Sequence, residues 1–161
     1  MEKIETEMLN DVRRELYAQK SNAITLRRAF GHPLSSAKPK EKMAYLEVTN
    51  GIQNLDSISQ INWWTVTLLS KQLEMQSSVK MEDYLHSLYH NPNTTDSVKT
   101  RISKLLEKKT TQKLLQEMSW FVKYANQQEV KINEWQLYQD LLLWNSRSFR
   151  WARKIVRKTE D

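Results

Sequence analysis

The sequence predicts an all-α protein: two small helical bundles packed together, with about eight to nine helices. Three observations carry this expectation. Glycine occurs only at Gly31 and Gly51 in 161 residues, too rarely for the tight hairpins of an all-β fold. Proline occurs only at Pro33, Pro39 and Pro92, while Leu, Lys, Glu, Gln and Met, all good helix formers, are plentiful. Apolar residues recur at helical spacing from one end of the chain to the other.

Ile4, Met8, Val12 and Leu16 lie four apart and make one apolar stripe over residues 4–20. Residues 23–30 form a short helix or turn, stopped by Gly31-His32-Pro33, because Gly suits a helix C-terminus and Pro cannot continue the helix. Residues 34–42 read as a surface loop, and a short helix around 41–49 ends at Asn50-Gly51. Residues 57–75 hold Ile58, Ile61, Trp63, Trp64, Val66, Leu68, Leu69 and Leu73, the expected central buried helix of the first half. A further helix covers 80–90, with Tyr84, Leu85, Leu88 and Tyr89.

Asn91-Pro92-Asn93-Thr94-Thr95 is the best boundary in the chain, with Thr94 or Thr95 able to cap the next helix. The expected domains are therefore 1–90 and 91–161. Val98, Ile102, Leu105 and Leu106 form that helix, and Thr110-Thr111 restarts the chain before Leu114, Met118, Phe121, Val122 and Ala125. Asn133-Glu134-Trp135-Gln136 reads as a capping box: Asn133 accepts from the new helix and Gln136 reaches back. Leu137, Tyr138, Leu141, Leu142 and Trp144 come next, and the last segment pairs Trp151 with Ile155.

Composition excludes much chemistry. There is no cysteine, so thiol catalysis, disulfides and Cys-ligated zinc are out. Two isolated glycines cannot build a Walker loop, a dinucleotide fingerprint or a nucleophile elbow. No run of about 18 apolar residues is present, so no membrane span is expected. Met1 to Asn10 is acidic and polar, without a signal-peptide core, and the expected location is cytoplasmic. His86 and His90 are spaced to share a helix face, but Ser87 follows the first where zinc proteases carry Glu, and no third ligand stands out. They read as surface or partly buried histidines, and no metal or cofactor is expected. Glu82 and Asp83 point to different faces and make no acid–base pair. Asp140 lies amid Leu141, Leu142 and Trp144, which suggests a buried carboxylate paired with an arginine rather than a catalytic group. The six tryptophans fall on or beside apolar stripes and read mainly as core. The chain is expected not to be an enzyme.

The net charge of +6 is unevenly placed. Residues 1–90 hold eleven Lys/Arg and eleven Asp/Glu; residues 91–161 hold fourteen and eight. One basic stretch contains Lys99, Arg101, Lys104, Lys108, Lys109 and Lys113 with the single acid Glu107. A second contains Arg147, Arg150, Arg153, Lys154, Arg157 and Lys158 with no acid. Arg101, Lys104 and Lys108 share a helix face, as do Arg147, Arg150, Lys154 and Arg157, and each row could follow phosphates without entering a groove. The bland alternative is a solvated surface.

Three blocks occur in order in the C-terminal half: Arg101-Ile-Ser-Lys-Leu-Leu106, then Leu114-Leu-Gln-Glu-Met-Ser-Trp-Phe-Val122, then Val130 to Trp144, closed by Arg150-Trp151 and a basic tail. With Leu26-Arg27-Arg28-Ala29-Phe30-Gly31 near the start, this pattern resembles the CasB family, the small subunit of the type I-E CRISPR surveillance complex Cascade. The likeness runs over residues 98–156 and more loosely over the first 35. Asn133 and Glu134 stand where the family has Asp directly before Trp.

The resemblance implies an all-helical, non-catalytic protein that self-associates into a dimer within the complex and contacts other Cascade subunits. It implies a role in holding the guide RNA–target DNA heteroduplex and the displaced DNA strand during antiviral interference, with guide pairing rather than the protein reading sequence. Arg27, Arg28, Lys99, Arg101, Lys104, Lys108, Lys109, Arg147, Arg150, Arg153, Lys154 and Arg157 would then supply the positive track. Exchanging Arg101 and Arg150 for Glu is expected to weaken strand binding without unfolding the protein. A helical protein-binding adaptor or scaffold and a small helical DNA-binding regulator are the alternatives.

Overall fold

The computed structural model describes the backbone of residues 2–107 and 109–158 and the side chains of residues 7–107 and 109–158. Helix dominates it. The elements are α1 (Glu2–Ala18), α2 (Lys20–Ala29), a 3₁₀ turn (Leu34–Ser36), α3 (Pro39–Thr49), α4 (Gln60–Lys71), β1 (Ser78–Val79), α5 (Met81–His90), α6 (Asp96–Leu105), α7 (Thr111–Gln127), β2 (Lys131–Ile132), α8 (Glu134–Leu142) and α9 (Trp144–Val156). The all-α class is as the sequence predicts. The chain divides into two compact units, Met1–Met75 and Gln76–Asp161.

The first unit is built around α4, whose residues Asn62 to Ser70 are all buried. Such a helix must satisfy its own polar groups. Thr67 and Ser70 donate to the carbonyls of Trp64 (2.8 Å) and Val66 (3.0 Å), and Asn62 Nδ2 donates to Asn54 (2.9 Å) and Ser57 (3.0 Å). Ser59 caps the helix by accepting from the Asn62 amide. Met8, Val12 and Leu16 of α1 are buried together with Leu9, as their spacing predicts; the Ile4 side chain lies outside the described residues. Gly31 ends α2 at φ 96° and Gly51 follows α3 at φ 77°, conformations that cost a side-chain-bearing residue but not glycine. The expected loop at 34–42 is shorter than read, because Pro39 occupies the first helical position of α3, where its missing N–H costs nothing.

The second unit contains α5 to α9. Thr95, Thr110 and Asn133 accept from the amides of Val98, Lys113 and Gln136, so the caps expected at Thr95 and Asn133 form and Thr110 adds a third. The other half of the capping box does not: the Gln136 side chain turns inward to Glu82 and Asp140. A parallel bridge pairs Ser78 with Lys131 and Val79 with Ile132, and Asn133 N–H donates to the Val79 carbonyl at 2.8 Å. This bridge joins the starts of α5 and α8, and two residues per strand leave no periodicity to read.

The division falls at 75/76 and not at the expected 90/91. The break at Asn91-Pro92 is real, since α5 ends at His90, but α5 packs against α9 and belongs with the helices that come after it. A local helix breaker separates elements; packing decides which elements share a core. The second unit carries fifteen Lys/Arg and ten Asp/Glu against ten and nine in the first, so the basic excess still lies in it.

Candidate nucleic-acid interface

The two basic stretches have different fates. In the α9 stretch, Arg147, Arg150 and Lys154 are spaced to one side of the helix, and that side faces acids contributed by α5 and α8. Arg150 Nη2 lies 3.1 Å from Glu82 Oε1 and 3.4 Å from Asp140 Oδ2; Arg147 Nε lies 3.4 Å from Asp140 Oδ1. Lys154 Nζ lies 2.8 Å from Asp83 Oδ1 and 3.7 Å from Glu82 Oε2. Glu82 and Asp140 are each only 2 % exposed. The hydrogen bond that Lys154 donates to Asp83, with the negative charges of Glu82 and Asp83 close by, raises the Lys154 pKa above its ordinary value against the opposing effects of burial and of Arg150. Trp151 Nε1 donates to Asp140 Oδ2 at 2.8 Å. The three bases expected in the phosphate track at 147, 150 and 154 are thus each paired with the chain's own carboxylates, with 34 %, 46 % and 39 % of their side chains exposed. The segment 147–158 contains no acid, so its neutralising partners came from distant parts of the chain.

Asp140 is the buried, arginine-paired carboxylate that its apolar neighbours suggested. His86 and His90 do turn the same way, with ring centroids 4.5 Å apart. Their Nε2 atoms lie 2.8 Å from the Arg157 carbonyl and 2.9 Å from the Ile155 carbonyl. Both rings thus hold the otherwise unsatisfied C-terminal carbonyls of α9. Arg153 and Arg157 are exposed.

In the other stretch, Ser97, Thr100, Arg101 and Lys104 follow one another at i, i+3, i+4, i+7 on α6. With Glu117 and Phe121 of α7 they line a groove of about 540 Å³. Arg101 Cζ sits 4.1 Å from the centroid of the Trp120 ring, within cation–π range and worth about 0.5–1 kcal/mol at an exposed site. Trp120 in turn stacks on Tyr124, with centroids 5.0 Å apart and planes 12° from parallel. The indole steadies the flat face of the guanidinium and leaves its edge N–H groups for a bidentate acceptor such as phosphate. Lys104 is exposed beside it.

Lys109 is not available in the same way. Its side chain is 9 % exposed, its Nζ lies 2.6 Å from Glu117 Oε1, and it also donates to the Lys104 carbonyl. That pairing offsets the one acid in the groove and leaves Arg101 and Lys104 as its net positive charge. Lys99 is half-buried on α6, and Lys108 lies outside the described residues. Arg27 and Arg28 are exposed in the last turn of α2, in the first unit, where their charge also complements the helix C-terminus.

Sequence reasoning missed Trp120 and Tyr124, since a tryptophan on an apolar stripe reads as core. Trp63, Trp64 and Trp151 are indeed buried, whereas Trp120, Trp135 and Trp144 are half-buried. The i, i+4 spacing of Trp120 and Tyr124 is visible in the sequence; that Arg101 of another helix covers the ring is not. No helix among the described residues is long and apolar enough to cross a membrane. No family model, curated protein or solved structure matches the chain.

Proposed function

We propose that this chain is a non-catalytic, nucleic-acid-binding subunit of the CasB kind, acting in the cytoplasm within a type I-E CRISPR Cascade complex. It holds the guide RNA–target DNA heteroduplex and the displaced DNA strand through their backbones, alongside a second copy of itself and other Cascade subunits. The observation that carries this reading is the α6–α7 groove, where Arg101 rests on Trp120 beside Lys104. A pre-oriented guanidinium, a second cation and two hydroxyls suit a sugar–phosphate backbone of any sequence. The order of the sequence blocks from Arg101 to Trp151 supports the same assignment. The oxygens of Glu82 and Asp140 are engaged by arginines, a lysine and an indole, which favours a structural role over general acid–base chemistry.

The adaptor reading draws on one observation of its own: four of the twelve expected track residues, Lys109, Arg147, Arg150 and Lys154, are tied to this chain's own carboxylates. Fluorescence anisotropy separates the two. The full chain is titrated into a mixed-sequence single strand and into a duplex of the same sequence at several salt concentrations. Strand holding predicts sequence-independent binding that weakens steeply with salt, and Arg101→Ala should lower the log–log slope by about 0.7, the value for one phosphate contact on a single strand. If the free chain is silent at low salt, the same strand is tested in reconstituted Cascade, where loss of displaced-strand protection in Arg101→Ala is expected. Silence in both settings favours the adaptor.

A further inference from the structure

The third side of α9 points to a partner. One side of the helix is core, through Trp151 and Ile155, and a second faces the acids of α5 and α8. On the third, Phe149 is 75 % exposed, and Val156, seven residues on, is more than half exposed. Arg153 stands between them at i+4 from Phe149. At the corner where α8 meets α9, Leu142 and Leu143 are also more than half exposed. Leu143 occupies the N-cap of α9, where no side chain bonds the free amides, although Ser, Thr, Asp or Asn is the favoured choice there. Phenylalanine in water and leucine at a cap both work against the isolated fold, and both are accounted for by a surface that is covered in use.

The charge on this side says what covers it. Among the described residues no carboxylate pairs with Arg153, Arg157 or Lys158, in contrast to the bases on the neighbouring side of the same helix. We propose that this face docks an acidic amphipathic helix of another protein, its apolar residues covering Phe149 and Val156 and its carboxylates meeting Arg153, Arg157 and Lys158. The i, i+7 spacing of the two apolar anchors matches the repeat of a partner helix. Phe149 is the one ring on this side; Leu142, Leu143 and Val156 offer a base no face to stack on, and a mainly aliphatic surface favours a helix over a nucleic acid. Arg153 interrupts the apolar strip, which disfavours insertion into hydrocarbon, whereas a facing carboxylate would satisfy it.

The test uses the full chain and a synthetic helical peptide with leucines at i, i+3, i+4 and i+7 flanked by glutamates. Its counterpart carries lysines instead, and vesicles of phosphatidylcholine with phosphatidylserine and a single-stranded oligonucleotide serve as comparisons. The glutamate peptide is expected to bind by far the better of the two peptides. Phe149→Ala should weaken it about tenfold, the loss typical of a central aromatic anchor. Arg153→Glu should shift the preference towards the lysine peptide, with both variants melting as the parent does. Equal binding of the two peptides, or none of the glutamate peptide, overturns the proposal. So does vesicle or oligonucleotide binding that depends on Phe149 while the peptide is not held. Arg101→Ala keeps peptide binding, so this test stands apart from that of the strand-holding groove.

Discussion

Trp151 donates its indole N–H to Asp140 Oδ2 at 2.8 Å, and this bond between α9 and α8 joins the hydrophobic core of the second unit to its ion-pair network. The ring itself is fully buried, and the same carboxylate also receives Gln136 and Arg150. Asp140→Ala strands a buried indole N–H and a buried amide, and should cost about 2–4 kcal/mol. Asp140→Asn keeps an acceptor for the indole and should cost less. Urea denaturation of the two variants measures the difference, and equal losses would mean that charge alone matters at this position.

Arg101 and Arg150 looked equivalent in the sequence and should now separate experimentally. Arg150 is 46 % exposed yet bridges Glu82 and Asp140, so Arg150→Glu sets three carboxylates together and should destabilise the fold by about 1–3 kcal/mol after allowance for solvent. Arg101→Glu touches no such network. It should leave stability within about 1 kcal/mol of the parent while weakening single-strand binding. A denaturation curve and an anisotropy titration on each variant decide the matter.

Alkaline pH should loosen the second unit. Burial, and then the nearby Tyr124, push Tyr84 up from 10.0 to about 12, and Lys154 is raised by its bond to Asp83. In both cases the folded state holds the proton more tightly than the unfolded chain does. The associated stability is therefore complete below about pH 10 and is lost as pH climbs through the raised values. Stability profiles against pH should fall from about pH 10 upwards, and Tyr84→Phe should flatten part of that fall.

The end of α7 offers a stabilising substitution. Val130 N–H donates to the Ala125 carbonyl and Glu129 N–H to that of Asn126, both at 2.9 Å, the paired bonds of a Schellman turn. The left-handed residue in that turn is Glu129, at φ 62°, where glycine is the usual occupant. Glu129→Gly should stabilise by about 0.5–1 kcal/mol and raise the melting temperature by a few degrees.

The local features were legible because their signals are local. Thr95, Thr110 and Asn133 mark helix starts by residue type, Gly31 and Gly51 mark two ends, and the stripes of α1, α4 and α7 place their buried faces by spacing alone. Asp140 could be read as a buried, paired carboxylate from its apolar neighbours. The state of the basic residues was not legible. Periodicity puts Arg147, Arg150 and Lys154 on one side of a helix, but cannot say whether that side meets water, phosphate or the protein's own acids. Glu82 and Asp83, far away in sequence, pair with that side once α5 folds against α9, just as Trp120 becomes a platform for Arg101 only once α6 lies against α7. A helix's faces follow from the order of its residues, whereas a charge's partner depends on which elements come to share a core, and that is decided by tertiary packing.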